Sequence, residues 1–151
     1  MEIKGEIEHK IVFLDISTIG EVENLFILDE LGDFISFNTT SKDQRIERLK
    51  NCTIAVTNKV EIDREVIDAS PYLKLICITA TGMNNVDINY AASKGIEVKN
   101  VAGYSTESVA QSTFSMLFYI MHRTSYYDDY VKEGKYAKVR YLLISALNLL
   151  N

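Results

Sequence analysis

Apolar and polar positions alternate along this chain in short blocks. Residues 11–16, Ile-Val-Phe-Leu-Asp-Ile, form a compact apolar run with β-branched and aromatic content, which predicts a buried strand. Between Gly20 and Leu31, the apolar residues Val22, Leu25, Phe26, Leu28 and Leu31 recur at helical spacing, and Gly32 follows where a helix stop is expected. Residues 34–37 read as a second strand. Ser41 then stands as the N-cap of a polar helix to Lys50 that carries Ile46 and Leu49 on one face. The pattern continues with a strand over 52–57 and a short helix over 63–69, with Val66 and Ile67 facing inward. The only proline, Pro71, precedes a fourth strand over 73–79. Asp87 caps a helix through Ser93, Gly95 ends it, and residues 96–101 form a fifth strand.

Five strands alternate with helices, and the third and fourth are continuous apolar runs, as expected of strands covered on both faces. The predicted fold class is α/β: a flavodoxin-like parallel five-stranded sheet with helices on both faces. In such sheets ligands bind beyond the carboxyl ends of the strands, so the informative loops follow Ile16, Thr57, Thr79 and Val101.

The pattern changes after the fifth strand. Ser105 opens a capping signal into a long helix that runs to about Lys132, with Val109, Phe114, Leu117, Phe118, Ile120 and Met121 on a wide apolar stripe and Tyr119, Tyr126, Tyr127 and Tyr130 adding aromatic area. One small sheet does not cover such a stripe, so a second domain or a second copy of the chain is the expected partner. After the polar stretch Lys132–Lys135, the tail from Val139 to Asn151 turns Leu-rich. The chain therefore divides into residues 1–104, a long helix over 105–136 and a tail over 137–151.

Composition narrows the function. Of 151 residues 47% are hydrophobic and 25% charged, the balance of a globular domain. Sixteen basic against 21 acidic residues give a net charge of −5 with no basic block, so no nucleic-acid partner is expected. No stretch approaches the roughly 18 apolar residues of a membrane span. Met1 to Glu6 is charged and lacks a signal-peptide core, so a cytoplasmic location and no membrane association are expected. Cys52 and Cys77 sit in apolar runs and read as buried thiols; no CxxC pair or metal-ligand spacing accompanies them.

The seven glycines include no GxG, so the sequence carries no dinucleotide fingerprint and no phosphate-cradling loop. His9 and His122 fall in the charged N-terminal segment and in the long helix, where structural or surface roles are expected. Thr79-Ala-Thr-Gly-Met-Asn-Asn-Val-Asp87 is a Gly/Asn-rich turn between strand and helix. It has two readings: a turn whose backbone N–H groups hold a carboxylate, or a plain connection whose Asp87 caps the next helix. Asp15 ends the first strand as in a phosphoacceptor receiver domain. That reading needs an aspartate at the end of the third strand, where Thr57-Asn58 stands instead; Asp15 is more simply a polar strand end at the cleft.

Residues 73–123 (LKLICITATGMNNVDINYAASKGIEVKNVAGYSTESVAQSTFSMLFYIMHR) resemble the N-terminal, substrate-binding part of the NAD-dependent D-isomer 2-hydroxyacid dehydrogenases. The matching elements are the strand followed by TGMNNVD, the GIEVKNV strand, the YSTESVAQ turn into a long helix, and the arginine that ends that helix's apolar run. The Asn-Asn-Val-Asp and Ser-Val-Ala-Gln forms lean toward the glycerate dehydrogenase (hydroxypyruvate reductase) branch. The resemblance covers roughly residues 10–136.

The resemblance implies that the backbone N–H groups of Thr81, Gly82 and Met83 face the substrate carboxylate, that Asn58 and Lys59 face the interdomain cleft, and that Thr113 lies against the cofactor. It also implies a homodimer through the helix 105–132 and a small 2-hydroxy or 2-oxo acid as substrate. The family continues into a nucleotide-binding domain that binds NAD(H) or NADP(H) and supplies an arginine, an acidic residue and a histidine. This chain has no positions for those three, so no catalytic residue, no metal site and no cofactor of its own are expected. The implied function is that of a truncated D-2-hydroxyacid dehydrogenase without activity by itself. The parent reaction is NAD(P)-dependent interconversion of a D-2-hydroxy acid and its 2-oxo acid. The alternative is a non-enzymatic dimerisation or small-carboxylate-binding module on the same fold. The resemblance stops after Ala137-Lys138; Val139 onward is expected to be a frameshifted or otherwise aberrant terminus, with a short helix covering the exposed face as the competing account.

Overall fold

The structure, a computed structural model, describes residues 9–138. The expectations for Met1 to Glu6 and for Val139–Asn151 lie outside the described residues. The chain divides into two compact units, Met1–Gly103 and Tyr104–Asn151.

The first unit is a five-stranded, all-parallel sheet of β1 (Lys10–Phe13), β2 (Asp33–Ser36), β3 (Ile54–Thr57), β4 (Leu75–Ile78) and β5 (Glu97–Asn100), in the order β2-β1-β3-β4-β5. This is the flavodoxin-like order expected from the alternation of elements. Successive side chains of β1 leave the sheet on opposite faces. Val12 and Leu14 enter the larger core, with Ala55, Ile76 and Ile78 from the neighbouring strands. Three helices cover that face: α2 (Arg45–Leu49), α3 (Arg64–Asp68) and α4 (Ile88–Ser93), which contribute Leu49, Val66, Ile67 and Ala91. Ile11, Phe13 and Val56 form a smaller cluster on the other face, against Ile16, Ile19 and Leu25 of the segment that leads into α1 (Ile27–Leu31).

Helix starts follow their side-chain chemistry. The Asp87 carboxylate accepts the Tyr90 N–H at 3.0 Å and begins α4, as expected, and Asp63 accepts the Val66 N–H at 3.1 Å at the start of α3. Ser41 opens a 3-10 turn, Lys42–Gln44, that runs into α2; its N–H donates to the Gln44 side chain at 3.1 Å.

Two expectations are corrected. The helix read over 20–31 is formed only at Ile27–Leu31, preceded by 3-10-type turns such as Leu28 N–H to Leu25 C=O at 3.1 Å. Short helices depend on packing rather than propensity, and Val22, Phe26, Ile27 and Leu31 are all exposed. Gly32 is required for a further reason. A Cβ there would stand 2.1 Å from the His9 carbonyl oxygen, which accepts the Asp33 N–H at 2.8 Å where β1 and β2 begin to pair.

The second correction lies in the second unit. The single helix read over 105–132 is two: α5 (Thr106–Met121) and α6 (Thr124–Lys132). Arg123 between them has φ 50°, a left-handed conformation that breaks the helical path. The His122 N–H closes α5 on the Phe118 carbonyl at 2.9 Å, and Thr124 and Ser125 open α6. The apolar side chains Val109, Phe114, Leu117, Phe118, Ile120 and Met121 are exposed along α5, as read from the stripe.

Candidate carboxylate-binding site

The loops after β3 and β4 meet at the carboxyl end of the sheet. Asn58, Lys59, Ala80, Gly82, Asn84 and Asn85 line a recess of about 200 Å³ there. The two loops hold each other: the Thr79 N–H donates to the Thr57 carbonyl at 2.9 Å, the Ile62 N–H to the Asn85 carbonyl at 2.7 Å, and Asn85 Nδ2 to the Val60 carbonyl at 3.0 Å.

The structure brings Asn58, Lys59 and Gly82 together in this recess. Gly82 is exposed and nothing stands within 4 Å of the position its Cβ would take, so the backbone is open to a ligand. Thr81 and Met83 flank Gly82 but do not line the recess. The Thr81 hydroxyl donates to the Val101 carbonyl at 3.2 Å, and the Met83 side chain packs on the main core. The carbonyls are partly engaged: Thr81 accepts Asn100 Nδ2 at 2.7 Å, and Ala80 accepts the Val101 N–H at 3.1 Å. The N–H groups of Thr81, Gly82 and Met83 have no protein acceptor among the described residues. Unpaired donors beside an exposed lysine are suited to an anion with several oxygen atoms.

The amides of Asn58 and Lys59 are not free in the same way. Asp15, two residues beyond β1 and only 3% exposed, accepts the Asn58 N–H at 2.8 Å on Oδ1 and the Lys59 and Val60 N–H groups at 2.6 and 3.1 Å on Oδ2. Reading Asp15 as a polar strand end missed this contact. The only local signal was an acidic residue closing an apolar strand.

A larger groove of about 360 Å³ flanks the same loop on the side of Asp15, Thr18, Thr40, Lys42 and Arg45. Its buried cation is already neutralised, because Arg45 Nη1 donates to the Glu61 carbonyl at 2.8 Å and to Asp63 Oδ2 at 3.1 Å. Burial tends to raise the Asp63 pKa, but the Val66 N–H and the Arg45 guanidinium outweigh it and hold that carboxyl below its ordinary value. Lys59 lines both this groove and the smaller recess.

Thr113 lies on α5 in the second unit, is exposed, and donates its hydroxyl hydrogen to the Val109 carbonyl at 2.8 Å. The sequence holds no GxGxxG loop. Cys52 is buried and Cys77 half-buried. No cluster of three or more His, Cys, Asp or Glu residues suited to a metal occurs among the described residues, and no helix among them is long and apolar enough to cross a membrane.

Known proteins resemble this chain in sequence and fold. Relatives include a hydroxypyruvate reductase of Blautia hydrogenotrophica, 37% identical over 72% of this chain and 35% of its own length, and a glycerate dehydrogenase of Methylorubrum extorquens, 30% identical over 85% and 41%. Among solved structures, an acyclic imino acid reductase in complex with NADPH and D-Arg superposes with a TM-score of 0.73 at 25% identity, over 89% of this chain and 43% of that one. The chain thus spans about two fifths of the length of these relatives. The profile of the D-isomer specific 2-hydroxyacid dehydrogenase catalytic domain matches residues 11–141, three residues past the point where the resemblance was read to stop, and the chain belongs to that family.

Proposed function

We propose that this chain is the substrate-side domain of a D-2-hydroxyacid dehydrogenase of the glycerate type and that its recess holds the carboxylate of a small 2-hydroxy or 2-oxo acid. The observation that carries this reading is the run of acceptor-free N–H groups at Thr81, Gly82 and Met83, whose central residue Gly82 lines a recess with Lys59 at the carboxyl end of the parallel sheet. The three amides donate to the carboxylate oxygens, Lys59 supplies the opposite charge, and Asn58 shapes the wall of the recess. These contacts bind and orient; none of them moves a proton or a hydride. The family's hydride chemistry needs a nicotinamide held at near-attack distance from the substrate. With no GxGxxG loop in the sequence to hold that group, the chain is read as binding substrate without turnover. Thr113 is read as a residue that lies near the cofactor only in the full two-domain enzyme.

Titration of the purified chain with glyoxylate and hydroxypyruvate, followed by amide NMR, tests this. Shifts confined to residues 58–60 and 80–85 are expected, with no NADH oxidation once contaminating enzyme is removed. Turnover, or shifts scattered over the sheet, would overturn the proposal.

The exposed stripe of α5 supports a second element of the reading, assembly with another copy of the chain. The Phe114 and Phe118 rings lie tilted to each other at 6.3 Å between centroids, and Ile120 on the same helix is 73% exposed. Contiguous apolar surface of this kind favours association. Sedimentation at micromolar concentration should show a dimer, and Ile120→Glu with Phe118→Glu should return it to a monomer. A wild-type monomer would sink this element. On this reading residues 1–104 bind substrate and residues 105–136 serve assembly.

A further inference from the structure

We propose that Asp15 is a positioning residue for the carboxylate site, acting through Lys59. This rests on the reading of the recess as a small-carboxylate site. Three consecutive amides, those of Asn58, Lys59 and Val60, converge on one buried carboxylate at 2.8, 2.6 and 3.1 Å. Successive N–H groups turned to one side form a concave anion cradle. Here the chain's own aspartate fills it, from a position 43 residues earlier in the sequence.

Asp15 does not line the 200 Å³ recess, so it does not touch the ligand. Its effect is on the direction in which Lys59 leaves the backbone. The same carboxylate binds the amides on both sides of the Lys59 α-carbon, so the backbone from which that side chain leaves is held on both sides. The surroundings reinforce the clamp. The Thr18 hydroxyl donates to the Asp15 carbonyl at 2.7 Å, Asn58 Nδ2 donates to Thr18 Oγ1 at 2.9 Å, and Asn85 Nδ2 donates to the Val60 carbonyl at 3.0 Å.

Filling the cradle has a chemical consequence. A ligand cannot use these three amides, so the loop after β3 offers it the lysine ammonium. The loop after β4, whose Thr81, Gly82 and Met83 amides lack acceptors, offers it the backbone. Asp15 thus divides the work between the two loops and presents a charged side chain on one and N–H donors on the other.

The test uses the full 151-residue chain with glyoxylate as probe. Asp15→Asn preserves shape but replaces an acceptor-only carboxylate with a group that carries donors. It should weaken glyoxylate binding by roughly fivefold to tenfold, the scale of a lost charge-assisted contact. On a Lys59→Met background, measured at higher glyoxylate, the same substitution should change affinity by less than about twofold, because the effect runs through the lysine. An equal loss on both backgrounds, or an unchanged affinity in Asp15→Asn, would overturn the positioning role. Should Asp15→Asn not fold, the wild-type chain decides: a Lys59 amide that exchanges with solvent as fast as the acceptor-free Thr81 amide overturns it, and strong protection of Lys59 and Val60 supports it. A wild-type chain that gives no glyoxylate-dependent shifts would instead overturn the carboxylate-site reading itself.

Discussion

Asn85 Nδ2 donates to the Val60 carbonyl at 3.0 Å, so the side chain of one cleft loop fixes the backbone of the other. The recess between the loops after β3 and β4 thereby exists before any ligand arrives, and ordering those loops adds little to the cost of binding.

Asn85→Ala removes that tie. The expected loss is about 1 kcal/mol of stability, the net value of one such bond, with faster amide exchange confined to the cleft loops. Urea unfolding and hydrogen exchange measure the two effects. A uniform rise in exchange across the sheet would contradict a local role.

Leu49 is fully buried in the core that joins α2 to the sheet. Leu49→Ala should cost about 2–5 kcal/mol through lost burial and the cavity left behind. A lower urea midpoint with an unchanged slope is the expected readout. A loss below about 1 kcal/mol would mean that this site collapses freely around the smaller side chain.

Gly32→Ala places a methyl group 2.1 Å from the backbone carbonyl of His9, where no flexible side chain can yield. Destabilisation of about 2 kcal/mol or more is expected from forced separation at the start of the β1–β2 ladder. Thermal unfolding of the variant checks this. An unchanged melting temperature would show that the two strands separate there at no cost.

Asp63 titrates below its ordinary value in the folded chain; burial acts against this and is outweighed by the Val66 N–H and Arg45. Because its folded pKa is depressed, it contributes stability above the unfolded pKa, and that contribution disappears as pH falls through the folded value. Asp63→Asn keeps a competent helix cap but removes the charge. The stability gap between wild type and Asp63→Asn should be present near neutrality and close as pH falls below the ordinary aspartate range through the lower folded value. A gap that persists unchanged in acid would show that the carboxylate charge is not its source.

Burial pushes the Cys52 thiol up to about 11. At about pH 8 only on the order of one molecule in a thousand carries the reactive thiolate, and that thiolate is enclosed. Iodoacetamide should therefore modify Cys52 only after unfolding, whereas half-buried Cys77 reacts slowly in the native chain. Mass spectrometry of the alkylated peptides distinguishes them, and rapid native labelling of Cys52 would contradict its burial.

The sequence by itself determined the parallel α/β class, the five strands, the caps at Asp87 and Gly95, and the family, because each rests on local periodicity or on a contiguous motif. Asn58, Lys59 and Gly82 were singled out by the family resemblance, whereas strand topology pointed only to the loops that carry them, and the structure places those three residues in one recess. The tertiary structure decided the rest. Only the sheet order brings Asp15 beside Asn58–Val60 and so determines that these amides are engaged while those of Thr81–Met83 are not. The short α1 and the break at Arg123 were likewise invisible to periodicity, which reports where apolar side chains recur but not whether anything packs on them. A hydrogen bond between residues 43 apart costs the chain nothing in local pattern, and so leaves no trace there; it becomes determinate only when the strands between them have paired.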